Sequence, residues 1–397
     1  MSEHATTPAA PASRLRNALR TAALMFVSIL IALAGLEIIV RAIEPKEVMR
    51  YFFMSSDPVL HHRFTPGASG RYKTTEFDVA YHINSLGLRS PETTLRKPEG
   101  TSRILLLGDS FTEGDGVEYQ ETFAYRLQHM VDSAGLGRRW EVINAGVGSY
   151  APMVEYLYLV NGGLALEPDI VVLNLDLSDF FDDLGYAAHA RLDARGVPLA
   201  AGVEEEKPPD SWLAAGLVNI KDFFKEHTRL YNFVRLRIDR YLEGARHNVD
   251  MSGNLHYDKY AMFRDGSRVV LERDGALTFK HLLLIRDTLA ARGIAFHINL
   301  YPYGIQVSPR EWNAGREFWG FRPDTVYGTG PQQEIERWAK RQAISVSNLC
   351  DAFLGMDKSL YPVYHDYNGH WRPVGHEVVA RKLYEVMLPR LREKHEQ

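Results

Sequence analysis

The apolar run Ile104-Leu105-Leu106-Leu107 stops at Gly108-Asp109-Ser110, and no other stretch limits the possible folds so sharply. A short continuous apolar segment ending in glycine and small polar residues reads as a strand buried on both faces, opening into a helix. In open α/β sheets the C-terminal edge of such strands is where ligands bind. Ser110 is therefore either a helix cap or a nucleophile presented at that edge, where helix amides would favour a developing negative charge.

Beyond Ser110 the pattern alternates between helix and strand. Residues 122–134, 154–164, 277–292 and 331–341 read as helices, and 140–144, 169–175, 294–300 and 344–346 as strands. Such alternation implies right-handed crossovers and a doubly wound sheet of about five parallel strands. Residues from about 180 to 276 break the rhythm with the acidic and proline-rich Glu204-Glu205-Glu206-Lys207-Pro208-Pro209 and then an amphipathic region. They read as an insertion that serves as a lid, a substrate wall or a plain surface loop, with a hairpin turn at Asp265-Gly266.

At the N-terminus, Arg14, Arg16 and Arg20 precede an apolar stretch over 21–40 that contains one acidic residue, Glu37. About 20 apolar residues suffice to cross a bilayer, and the arginines would keep residues 1–20 cytoplasmic and the rest of the chain outside. A cleavable signal peptide, with Ala32-Leu33-Ala34 near its end, and a buried helix of a soluble protein are the competing readings. Residues 41–100 form a loop-rich lead-in with a strand near 77–83 and a turn at Asn84–Arg89. The domain itself is expected over 101–397.

Net charge is -4 with basic and acidic residues interspersed, which offers no basic stripe for nucleic acid. A single cysteine, Cys350, rules out an intramolecular disulfide and a cysteine-rich zinc site. No metal or cofactor is expected, and His61 and His62 read as surface histidines.

A serine nucleophile needs a base, and histidine has the suitable pKa. Among 15 histidines, His370 stands out because it lies in a loop just before the last helix, with His365 earlier in that loop and His376 on the helix. Tyr301, Tyr303, Trp312, Phe318, Trp319 and Trp371 are candidates for stacking on sugar rings, although core packing accounts for most aromatics.

Four segments, Gly108-Asp109-Ser110, Asn144–Ser149, Leu175–Asp179 and Asn368-Gly369-His370-Trp371, fall in the order of the blocks of the SGNH (GDSL-type) hydrolases. The chain resembles that family from about Ile83 to the C-terminus, apart from the insertion, and Ile83–Arg89 is similar to a segment of its membrane-anchored subgroup. The resemblance implies a flavodoxin-like three-layer α/β/α fold and esterase, lipase or acyl-transferring activity. It makes Ser110 the nucleophile and His370 the base, with oxyanion donors from Ser110, Gly148, Ser149 and Ser178. Ser178 stands where the family has an asparagine. The family's aspartate, two or three residues before the histidine, is replaced by Asn368 and Tyr367. Asp366 is the nearest carboxylate to orient the ring, with Asn368 or a backbone carbonyl as alternatives.

The expected function is therefore hydrolysis of an acyl or acetyl ester on a small molecule or polysaccharide. O-acetyl transfer to a cell-surface polysaccharide and a catalytically weak carbohydrate-binding scaffold are the alternatives.

Overall fold

The computed structural model describes residues 11–43, 53–202, 275–318 and 321–393, with Leu271 and scattered positions from 211 to 234. The expected turn at Asp265-Gly266 lies outside these residues. Two compact units are present, Met1–Lys46 with Glu206–Ala245, and Glu47–Glu205 with Arg246–Gln397.

The first unit holds α1 (Pro11–Ile43), whose segment Arg16–Ala42 is long and apolar enough to cross a membrane. Glu37, its one carboxylate, accepts from Arg41 Nε at 2.6 Å and from the Leu230 amide at 2.8 Å. Part of the expected insertion thus groups with α1.

The second unit begins with two hairpins. β1 (Met54–Asp57) pairs with β2 (His61–Phe64), and β3 (Ser69–Lys73) with β4 (Asp78–His82), both antiparallel. Val79 and Tyr81 alternate inward along β4, as a half-buried strand requires. In the turn that follows, Asn84 Oδ1 accepts the Leu86 and Leu88 amides, and Gly87 sits at φ +80°. Leu88 is buried, and so is Arg89, whose guanidinium donates to the carbonyls of Glu113, Gly114 and Val117. These bonds tie the lead-in to the segment just after Ser110.

The central sheet contains β5 (Thr101–Leu107), β6 (Arg139–Asn144), β7 (Ile170–Leu175), β10 (Ala295–Leu300) and β11 (Ser345–Asn348), all parallel. Their order, β6-β5-β7-β10-β11, is the flavodoxin-like one, with its switch point between β5 and β7. Between β7 and β10 the chain makes a small hairpin of β8 (Arg191–Leu192) and β9 (Pro198–Ala200). α3 (Phe123–Ser133) and α8 (Pro373–Glu393) pack together. α4 (Pro152–Asn161), α5 (Asp179–Ala187) and α6 (Ala276–Ala290) form the other group. α7 (Gly330–Arg341) joins α6 through the Phe279–Trp338 ring stack at 4.2 Å. α2 (Ser110–Glu113) is a single turn after β5. The result is a three-layer α/β/α arrangement, as expected. All residues of β5 and β7 are buried.

That burial includes polar groups. Asn299 Nδ2 donates to Asn174 Oδ1 at 2.9 Å, Ser347 Oγ to Asn299 Oδ1 at 3.0 Å, and His297 bonds the hydroxyls of Ser345 and Ser347. Each polar side chain in this row finds a partner on the next strand, which makes its burial tolerable. Burial, with a smaller contribution from Arg390, lowers the His297 pKa to about 3. The folded state therefore binds this proton less readily than the unfolded chain, and stability falls as pH drops from about 6.5 toward 3. His297→Gln is expected to flatten that part of the stability profile, measured as the unfolding midpoint against pH.

Candidate active site

Ser110 follows β5 directly. Asp109 caps α2, its Oδ1 accepting the Phe111 amide at 2.9 Å, as short polar side chains do at helix starts. Gly108 has φ +150°, and a Cβ there would lie 2.1 Å from Thr112 Oγ1, so only glycine suits the junction. The loop after β6 also presses on α2: a Cβ on Gly146 would lie 2.4 Å from the Glu113 amide nitrogen. Asn144 stabilises this approach by donating to Thr112 O and accepting from Gly146 N.

Ser110 is only 8% exposed, and its Oγ lies 2.6 Å from His370 Nε2. The weaker alternative, Asp109 Oδ2, is at 3.4 Å. His370 Nδ1 is 2.5 Å from Asn368 Oδ1. An amide oxygen only accepts, which assigns the proton to Nδ1 and leaves Nε2 to accept from the serine. The His370 ring also packs against Phe111, with centroids 4.6 Å apart.

Asp366 is not part of this chain of contacts. Its carboxylate is 45% exposed and lies 3.5 Å from Arg372, while its carbonyl accepts the Gly315 amide. The loop turns through Gly369 at φ +80°, which brings the residue at i−2 rather than i−4 alongside the imidazole. Asn368 therefore lies against the imidazole where Asp366 does not. His365 is buried against Phe77, and His376 accepts the Phe123 amide at the start of α3, so neither reaches Ser110.

The expected oxyanion donors fare unequally. The Gly148 amide donates to Glu113 Oε2 at 2.7 Å, so it is committed to a buried carboxylate. Ser178 is committed twice, its amide to Asp176 Oδ1 at 2.5 Å and its hydroxyl to Asp182 at 3.3 Å. The amides of Ser110 and Ser149 make no hydrogen bond among the described residues. Ser149 is held at φ +65°, and its carbonyl accepts from Tyr186 OH. His62, expected at the surface, is half-buried, with Nε2 2.8 Å from Gly148 O.

Glu113 was not identifiable from sequence. It is fully buried and takes both Gly148 N–H and Tyr81 OH. Its position at the end of the single helical turn that Ser110 opens is the only signal. The candidate stacking aromatics Tyr301, Tyr303, Trp312 and Trp371 are corrected to core residues, each at most 7% exposed. Tyr301 and Trp371 pack on Phe111. Trp319 and the Phe318 side chain lie outside the described residues. A cleft of about 210 Å³ opens among His61, Asp182, Gly185, Tyr186, His189 and Ala201. It shares Tyr186 with the Ser149 loop and Asp182 with Ser178. Among the described residues no cluster of three or more acidic, histidine or cysteine side chains could hold a metal ion.

Beside Ser110, burial and then the charge of Asp176 push the Asp109 carboxyl well above the ordinary range. Asp176 is the charged partner, accepting from Tyr303 OH and the Ser178 amide. A carboxyl with a raised folded-state pKa contributes stability that is complete below its unfolded value and is lost as pH climbs through the folded one. Stability is thus expected to decline above about pH 4. Asp109→Asn, which keeps the helix cap, is expected to reduce that decline in pH-dependent unfolding measurements.

No protein-family model and no curated protein sequence matches the chain. Solved structures do. An acetyl xylan esterase is 13% identical, with 71% of this chain and 98% of that one covered, at a TM-score of 0.38. A GDSL-like lipase from Bacteroides thetaiotaomicron is 11% identical, covering 75% and 92%, at 0.35. A catalytic mutant of an acetylxylan esterase from Geobacillus stearothermophilus is 12% identical, covering 72% and 94%, at 0.39.

Proposed function

We propose that the chain is a serine ester hydrolase of the SGNH type, acting on an acyl or acetyl ester through a Ser110 acyl-enzyme. The observation that carries the reading is the 2.6 Å contact between His370 Nε2 and Ser110 Oγ, two residues separated by 260 positions. His370 Nε2 takes the serine proton as Oγ bonds to the acyl carbon, and returns it to the leaving alkoxide. Water then enters and gives a proton to the same nitrogen as its oxygen bonds to the acyl carbon; the bond to Oγ breaks, the proton passes from Nε2 to Ser110 Oγ, and the carboxylic acid leaves. The Ser110 and Ser149 amides are the proposed oxyanion donors. Asn368 holds the ring in the tautomer that accepts at Nε2. The raised Asp109 pKa supports this arrangement, because a neutral carboxyl adds no negative charge beside the forming oxyanion.

A transferase reading has its own support in the cleft at His61, Asp182, Tyr186 and His189, whose hydroxyl, imidazole and carboxylate groups suit a polyhydroxylated acceptor. The segment Arg16–Ala42 is the proposed membrane span, with the sheet-bearing unit on the non-cytoplasmic side.

Treating the full chain with a fluorophosphonate is expected to label wild type but not Ser110→Ala, and to label His370→Ala about 10²- to 10⁴-fold more slowly. Asp366→Asn is expected to label at nearly the wild-type rate. A wild-type chain that resists the probe under conditions that label an active esterase would sink the reading. Partition of the acyl-enzyme between water and an oligosaccharide acceptor separates hydrolase from transferase.

A further inference from the structure

The loop that carries His370 is not held by its own neighbours alone. It is closed by the Tyr364–Trp371 bridge and the His365 N–His370 O bond at 2.9 Å, yet between these points the backbone amides of Tyr367 and Asn368 face away from the loop. Both donate to one carboxylate: Tyr367 N to Glu76 Oε1 at 3.0 Å and Asn368 N to Glu76 Oε2 at 2.7 Å. Glu76 sits in the turn between β3 and β4, almost 300 residues earlier in the chain.

That turn is itself rigid. Thr74 Oγ1 accepts the amides of Glu76 and Phe77, and Thr74 N donates to Phe77 O at 2.9 Å. Asp78, next along, pairs with Arg71 and Lys73 across the hairpin. Phe77 meets the His365 ring edge-on, with centroids 5.2 Å apart. The hairpin tip therefore grips the loop at two points, one apolar and one charged.

We propose that Glu76 is a positioning residue for the Ser110–His370 pair, acting through Asn368. The family's pattern places a carboxylate directly on the histidine, and this chain has a neutral amide there. The carboxylate is supplied one step back instead: it fixes the backbone of the residue whose Oδ1 fixes the imidazole. Charge-assisted bonds from two successive amides to one carboxylate are stronger and more directional than neutral ones, which suits a role in setting geometry. The carboxylate bonds the backbone of the same residue whose Oδ1 meets His370 Nδ1, and a negative charge near an imidazole favours its protonated form.

This inference rests on the Ser110–His370 reading, and the test separates the two. The full chain in detergent is compared as wild type, Glu76→Gln and Glu76→Ala, by fluorophosphonate labelling rate, by kcat and KM on a soluble acetyl ester, and by the pH profile of kcat/KM. The expected result is a loss of about 10- to 100-fold in kcat and labelling rate for Glu76→Ala, with KM little changed. Glu76→Gln retains one acceptor and is expected to fall in between. Removing the charge is expected to move the acid limb of the profile to lower pH in both variants. A folded Glu76→Gln, judged by its unfolding midpoint, with wild-type kcat and an unmoved acid limb overturns the role of Glu76 while leaving the dyad standing. A wild type that is itself unreactive overturns both.

Discussion

Most of the amides and carbonyls just beyond the end of β5 are buried, and much of the site follows from how they are satisfied. β5 is buried along its whole length, so the turn at Gly108 and the single helical turn after it must find partners inside the protein. Arg89 takes the carbonyls of Glu113, Gly114 and Val117, Asn144 takes that of Thr112, and Asp109 takes the Phe111 amide. Unpaired, each such group would cost on the order of 1–3 kcal/mol. Paired, they hold Ser110 in one place without relying on its own side chain. Two of these partners come from different parts of the chain, Arg89 from the lead-in and Asn144 from the end of β6.

The same enclosure concentrates carboxyl groups. Asp109, Asp176, Asp179 and Glu155 are all buried, and desolvation is the first cause of the raised pKa in each. Asp183 has His281 Nδ1 at 2.9 Å, but both Glu155 oxygens and Asp179 Oδ1 have no hydrogen-bond partner. Charging several carboxyls together in a low-dielectric interior is far costlier than charging one, so beside Asp176 the carboxyls of Asp109, Asp179 and Glu155 favour their protonated forms. Protons held there limit the negative charge gathered around Ser110.

Legibility in the sequence followed the range of the interaction. The apolar runs of β5 and β7 announce central parallel strands, and Ser110 follows from where the first one stops. His370 is visible as a loop histidine before the last helix. Its orienting partner was harder to read, since Asp366 and Asn368 are both near in sequence and only the left-handed Gly369 decides which meets the ring. The Gly148 amide is taken up for a reason invisible locally: Glu113, 35 residues away, accepts from it. The candidate stacking aromatics Tyr301 and Trp371 lie inward, where with Phe111 they fill the space under the turn that carries Ser110. Glu76 lies beyond any local pattern, because nothing in a β-turn signals which distant backbone its side chain will meet.

The burial of Arg89 bears on where this protein can be cut. An expected boundary near residue 100 separates a lead-in from a domain, yet the compact unit runs back to Glu47 and its second cluster of apolar side chains joins Phe64, Tyr81 and Ile83 to Val147, Tyr150 and Val154. A fragment starting at the first strand of the central sheet would keep every strand of that sheet and both Ser110 and His370. It would also strip the guanidinium from three carbonyls and bare an apolar flank beside the loop after β6. The smallest self-sufficient piece therefore starts upstream of the first hairpin, and shortened versions made for secretion or crystallisation should be trimmed between the membrane-length helix and Phe53.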